Sequence, residues 1–182
     1  MEIRYFNSNF DKITQNKDTD QSITNLIEKL PSLNIVSDKN LLEETIKISN
    51  QFKEKKEKII VFGTGGSNLG ARALNNIISN NKIILEFYDN VDPINFEKNF
   101  QNINFEHTGF LVISKSGTTP ETLSQFSCLY QKALEANKVE AFFSNTLIIT
   151  EFKESPLFKI AKDNNCLLLE HHKDVGGRYS IF

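Results

Sequence analysis

Apolar positions in the first 57 residues recur at helical spacing. Ile23, Leu26, Ile27 and Leu30 predict one helix, which Pro31 ends. Leu42, Ile46, Ser49 and Phe52 predict a second, running into the charged stretch Lys53-Glu54-Lys55-Lys56-Glu57-Lys58, read as a solvated helix end. From Ile59 the pattern changes to short apolar runs separated by helical segments. Ile59–Phe62, Ile83–Tyr88, Phe110–Ile113, Thr146–Thr150 and Cys166–Leu169 predict five strands. A helix through Leu74 and Ile78 follows the first, and one carrying Leu123, Phe126, Leu129 and Leu134 follows the third. Ser155-Pro156 supplies an N-cap and first-turn proline for a short helix after the fourth. Near-continuous apolar strands alternating with helices predict a parallel sheet covered on both faces. The expected organisation is a helical N-terminal extension over residues 1–57 and one α/β domain over 58–182.

Composition narrows the function classes. Lys plus Arg is 21 and Asp plus Glu is 23, a formal net charge of −2, without the basic excess of a general nucleic-acid binder. Only three of those cations are arginines, Arg4, Arg72 and Arg178, so each Arg is more informative than any Lys. No apolar run approaches the roughly 20 residues that span a bilayer, and Met1–Tyr5 has no signal-peptide character. Cys128 and Cys166 are read as two buried reduced thiols, in keeping with a cytoplasmic location. With His107, His171 and His172 they form no metal-ligand spacing.

Ligands of an open parallel sheet bind beyond the carboxyl ends of its strands. Three polar, glycine-containing segments fall there. Gly63-Thr64-Gly65-Gly66-Ser67-Asn68-Leu69-Gly70 follows the first strand. Its glycines permit unusual backbone angles and close approach of a ligand, and the next helix offers free N–H groups. It has neither a Walker ending nor G-x-G-x-x-G spacing; a plain tight turn and an anion site both fit it. Ser114-Lys115-Ser116-Gly117-Thr118-Thr119-Pro120-Glu121-Thr122 follows the third strand and concentrates hydroxyls at a helix entrance. A capping box of Thr118 with Glu121, or Thr119 before Pro120, accounts for part of it but leaves Ser114 and Ser116 unexplained. A phosphate there would receive hydroxyl and N–H bonds and the positive end of the helix dipole. Val175-Gly176-Gly177-Arg178-Tyr179-Ser180 follows the fifth strand; a scarce Arg behind two glycines suits an oxyanion contact, and a surface Arg in a tail is the alternative.

These three segments, with Asn90-Val91-Asp92-Pro93 between the first two, resemble in order and content the motifs of the glucose-6-phosphate isomerase (phosphoglucose isomerase) family. The resemblance spans about Ile59 to Phe182. It implies a sugar isomerase (SIS) domain, a flavodoxin-like three-layer α/β/α sandwich with a five-stranded parallel sheet. It also implies that Ser67, Ser114, Lys115, Ser116 and Thr119 line a phosphate pocket and that Gly65 and Gly66 let the sugar approach the backbone. Arg178 would stabilise the enediolate intermediate. The implied ligands are glucose 6-phosphate and fructose 6-phosphate, without metal or nucleotide cofactor, nucleic acid or membrane, in an enzyme of glycolysis and gluconeogenesis that is a homodimer at full length.

The family's proton-transferring Glu and its ring-opening His and Lys have no counterpart in this sequence. The resemblance therefore implies the N-terminal SIS portion of such an enzyme, inactive by itself. A stand-alone sugar-phosphate sensor is the alternative, and Arg178 within an isomerase-like motif weighs against it. A nucleotide-binding domain is disfavoured by the missing G-x-G-x-x-G.

Overall fold

A computed structural model describes residues 17–78 and 82–179, so residues 1–16 of the expected extension and Ser180 of the third segment lie outside the described residues. Helix α1 (Lys17–Lys29) ends before Leu30, which Pro31 holds in extended backbone at φ −73° and ψ 114°. The short α2 (Pro31–Asn34) and a 3-10 turn (Ile35–Ser37) lead to α3 (Lys39–Lys53), capped by Asp38, whose carboxylate accepts from the Leu41 N–H at 3.1 Å. The charged run belongs to the turn after α3 and not to its end: the helix stops at Lys53, and Lys55 takes a φ of 60° that closes the turn into the sheet. Helical periodicity correctly placed both helices. Ile23, Leu26 and Ile27 of α1 and Leu42 and Ile46 of α3 are exposed, and only the Phe52 end of α3 is buried against the sheet.

Five parallel strands form the sheet: β1 (Lys58–Phe62), β2 (Ile84–Tyr88), β3 (Thr108–Ile113), β4 (Thr146–Thr150) and β5 (Leu167–Glu170), in the order β2-β1-β3-β4-β5. The helices that return the chain are α4 (Gly66–Ile77), α5 (Pro93–Asn99), α6 (Pro120–Glu135), α7 (Val139–Ser144) and α8 (Pro156–Asp163). Helices α5 and α7, at 7 and 6 residues, are too short to show a clear helical period. The local signal for α5 was the Asp92-Pro93 pair, in which the Asp92 carboxylate accepts from the Ile94 N–H at 2.9 Å ahead of a first-turn proline.

Strand residues alternate between two cores, as a period of two requires. On one face Ile60, Phe62, Phe110, Val112 and Ile148 pack with Phe96 and Phe100 of α5, Phe126 and Leu129 of α6, Phe142 of α7 and Leu157 of α8. Aromatic rings fill that layer; Phe142 lies 5.1 Å from Phe110, Phe126 and Phe143, centroid to centroid. On the other face Ile59, Val61, Ile113, Leu147 and Leu169 pack with Phe52. Between α3 and α4 that second face remains open as an apolar groove of about 610 Å³ over Ile59, Val61, Leu85 and Leu111. Of the two cysteines, Cys166 is buried, and burial pushes its thiol up to about 11. Cys128 is exposed, against expectation, because it lies outside the α6 stripe of Thr122, Phe126, Leu129 and Ala133 that meets the sheet.

The strand order decides where a ligand can bind. From β1 the chain crosses to β2 on one side, and from β3 it crosses to β4 on the other, although β1 and β3 are neighbours. Their connections diverge and leave a crevice at the carboxyl ends of β1 and β3. The first two glycine-containing segments both start there.

Candidate functional site

The loop after β1 is shaped by glycines that serve different purposes. Gly65, the N-cap of α4, has φ 54° and ψ −123°, a conformation closed to residues with a Cβ, and no atom lies within 4 Å of where that Cβ would stand. The open space agrees with close approach of a ligand. Gly66 differs: a Cβ there would fall on the backbone of Arg178 and within 2.7 Å of the Gly177 carbonyl carbon. Its missing side chain makes room for the chain itself. Asn68, fully buried in the first turn of α4, donates its side-chain N–H to the Gly63 carbonyl at 3.0 Å and so fixes the start of the loop.

The loop after β3 holds the hydroxyls. Ser114, 3% exposed, accepts from the Gly117 N–H at 3.2 Å, and its Oγ lies 2.8 Å from the Thr119 Oγ1. The Ser116 Oγ accepts from the Thr118 N–H at 3.2 Å and from the Thr118 hydroxyl at 3.0 Å. No Thr118–Glu121 capping box forms: the N-cap of α6 is Thr119, and its side chain makes no capping bond. The Thr119 hydroxyl turns back to Ser114 instead, which leaves the first-turn N–H groups of Glu121 and Thr122 ahead of the first ladder bond, from the Leu123 N–H to the Thr119 carbonyl. Gly117 has φ 68°, and a Cβ on it would collide with the Ser155 hydroxyl, so the loop is tight as well as polar. The result is a nest of hydroxyls and free N–H groups at the positive end of a 16-residue helix, an arrangement that suits a dianionic phosphate.

The third segment reaches the site from β5. Gly177–Tyr179 forms a 3-10 turn whose Arg178 backbone rests on Gly66, and the Arg178 side chain is exposed. Lys115 lies among the hydroxyl residues in sequence, but its ammonium points to this third loop. It donates to the carbonyls of Lys173 at 2.6 Å and Val175 at 2.8 Å and stands 3.6 Å from the Glu151 carboxylate. Lys153, 2.6 Å from the other oxygen of Glu151, holds that carboxyl below its usual range, with Lys115 adding to the effect. Burial pushes the His171 imidazole down, opposed by a hydrogen bond with the His172 carbonyl at 3.1 Å.

The fold thus gathers Gly65, Gly66, Ser67, Ser114, Ser116 and Thr119 onto the two loops of the crevice and brings Arg178 to it through Gly66. Two buried amides escaped the sequence reading. One is Asn68; the other is Gln125 of α6, which donates to the carbonyls of Tyr88 at 3.2 Å and Asn90 at 2.8 Å and ties the loop after β2 to the site. Gln125 had a signal, being polar on the inward stripe of Thr122, Phe126 and Leu129; Asn68 had none, because the apolar Leu69, Leu74 and Ile77 that set the period of α4 are exposed. A second large concavity, about 600 Å³ and lined by Lys58, Arg72, Asp89 and Lys98, lies at the β2 edge.

The sequence profile described as phosphoglucose isomerase matches residues 18–182. The chain is 36% identical over 142 residues to a probable glucose-6-phosphate isomerase of Methanococcus maripaludis, covering 72% of this chain and 31% of that protein. It is 32% identical over 146 residues to the glucose-6-phosphate isomerase of Campylobacter jejuni, covering 78% and 35%. It therefore spans about a third of the length of these relatives. The crystal structure of a glucose-6-phosphate isomerase from Chlamydia trachomatis superposes with a TM-score of 0.66 at 24% identity, over 76% of this chain and 27% of that one, a likeness of fold.

Proposed function

Because the chain belongs to the phosphoglucose isomerase family, we propose that it supplies the phosphosugar-binding wall of an enzyme interconverting glucose 6-phosphate and fructose 6-phosphate in glycolysis and gluconeogenesis. The observation that carries this reading is the convergence of Ser114, Ser116 and Thr119, at the α6 N-terminus, with the Gly65–Ser67 turn at the crevice between β1 and β3. In this reading residues 58–182 form the SIS domain and residues 1–57 a helical extension, and the phosphate sits on the hydroxyl loop beside Lys115. The sugar lies over Gly65, and Arg178 faces the oxygen that gains charge in the enediolate. The full-length enzyme is a cytoplasmic homodimer that works without metal or nucleotide. No helix among the described residues is long and apolar enough to cross a membrane.

Replacing Ser116 and Thr119 together by Ala is expected to weaken fructose 6-phosphate binding by a factor of ten or more, since each lost bond to a charged group contributes about 1.5–3 kcal/mol. Calorimetric titration measures this, with NAD as the competing ligand class. Unchanged affinity in the double variant, or tighter binding of NAD than of the phosphosugar, would sink the reading.

Arg178 has a separate test. In the full-length enzyme, Arg178→Lys is expected to lower kcat more than it raises KM, because Lys cannot reproduce the planar fork that meets charge developed only in the transition state. Steady-state kinetics would show the opposite split if Arg178 served binding alone.

A further inference from the structure

We infer that Lys115 is a positioning residue for Arg178: its ammonium braces the loop that carries Arg178 and is not spent on the phosphate. The inference rests on the proposed function for the role of Arg178, while the brace is read from the geometry. An ammonium has three N–H bonds in tetrahedral directions. Those of Lys115 meet the Lys173 carbonyl at 2.6 Å, the Val175 carbonyl at 2.8 Å and, more loosely, the Glu151 carboxylate at 3.6 Å. A phosphate would have to draw the ammonium from two short bonds and a counter-charge.

The base of the side chain is fixed too. The Lys115 carbonyl accepts from the Glu151 N–H at 3.0 Å and from the Thr150 hydroxyl at 3.4 Å. Lys115 therefore spans from the end of β3, across the end of β4, to the loop beyond β5. Val175, 2% exposed, anchors that loop, and the chain then has only Gly176 and Gly177 before Arg178, whose backbone rests on Gly66. Arg178 is thus held from two directions, by close packing on α4 and by the Lys115 brace. Two glycines would otherwise leave the segment little stiffness of its own. The same residue joins the hydroxyl loop to the Arg178 loop, so a phosphate seated on Ser114 and Thr119 has the arginine set at a fixed distance from it.

The test is Lys115→Met, which keeps the stem and removes the donors. Amide hydrogen exchange of residues 172–178 in the ligand-free chain is expected to quicken at least tenfold, while exchange in β1, β3 and β4 stays unchanged. The Kd for inorganic phosphate is expected to move less than threefold. A tenfold weaker phosphate Kd with unchanged exchange over 172–178 would overturn the inference and make Lys115 an anion ligand. Faster exchange spread evenly over the sheet would overturn it as well, by making Lys115 a general stabiliser. If the unsubstituted chain bound no phosphate, the proposed function would fail, whereas the exchange measurement would still decide the brace.

Discussion

A coupled assay on the 182-residue chain is expected to show no isomerisation of fructose 6-phosphate, while calorimetric titration shows it bound. Isomerisation carries a proton between adjacent carbons, and a positioned base contributes on the order of 10²–10⁴-fold to such a step. The titratable groups beside the converging loops are poorly placed for that task. The Glu151 carboxylate is committed to Lys153 and Lys115, and the His171 imidazole is buried, 5% exposed. Glu121 is exposed in the first turn of α6, where its charge complements the helix terminus. In the proposed reading the chain supplies one wall of the site, so a bound sugar would face water and lose the orientation from which enzymes draw much of their advantage. Turnover in the enzyme-typical range of about 1–10³ s⁻¹ would show that a base among these residues had been overlooked. Binding with no turnover is the expected result.

Gly66→Ala is expected to be the most damaging single methyl group in the site. The added carbon would land on the Arg178 backbone, and neither partner is a flexible side chain that could swing aside. Overpacking of this kind costs typically about 1–3 kcal/mol, and in a domain of this size each kcal/mol lowers the melting temperature by roughly 2–4 °C. The functional loss should be larger than the stability loss, because the strain is relieved by lifting the Gly177–Tyr179 turn off α4 and carrying Arg178 from the crevice. In the full-length enzyme kcat is expected to fall at least as far as in Arg178→Lys. Calorimetric melting and steady-state kinetics on the same variant separate the two effects. An unaltered kcat in the Gly66→Ala variant would show that Arg178 acts from some other position.

The sheet was legible in the sequence because both its faces are apolar. Runs such as Ile59-Ile60-Val61-Phe62 send alternate residues into separate cores, so no polar position interrupts them. The hydroxyl loop was legible for a chemical reason, since a single helix cap cannot use so many hydroxyls. Other features depended on contacts between distant parts of the chain, which leave no local pattern. Local spacing could not show that Gly66 faces Arg178 or that the Lys115 ammonium turns toward Lys173 and Val175. The outward apolar faces of α1 and α3 were legible only as stripes, because periodicity reports that a stripe exists and not whether anything described in the chain covers it.

The paired glycines at the head of α4 reach back to the gene. Gly65 refuses a side chain because of its backbone angles, and Gly66 refuses one for lack of room, so relieving either constraint does nothing for the other. Every codon for glycine begins with two guanines, and every amino acid reached from it by changing one base carries a Cβ. No single missense change at either position can therefore be conservative. Only changes at the third base of each codon are silent in the protein, and a library of random point mutants of the full-length enzyme screened for activity should return these two positions unaltered.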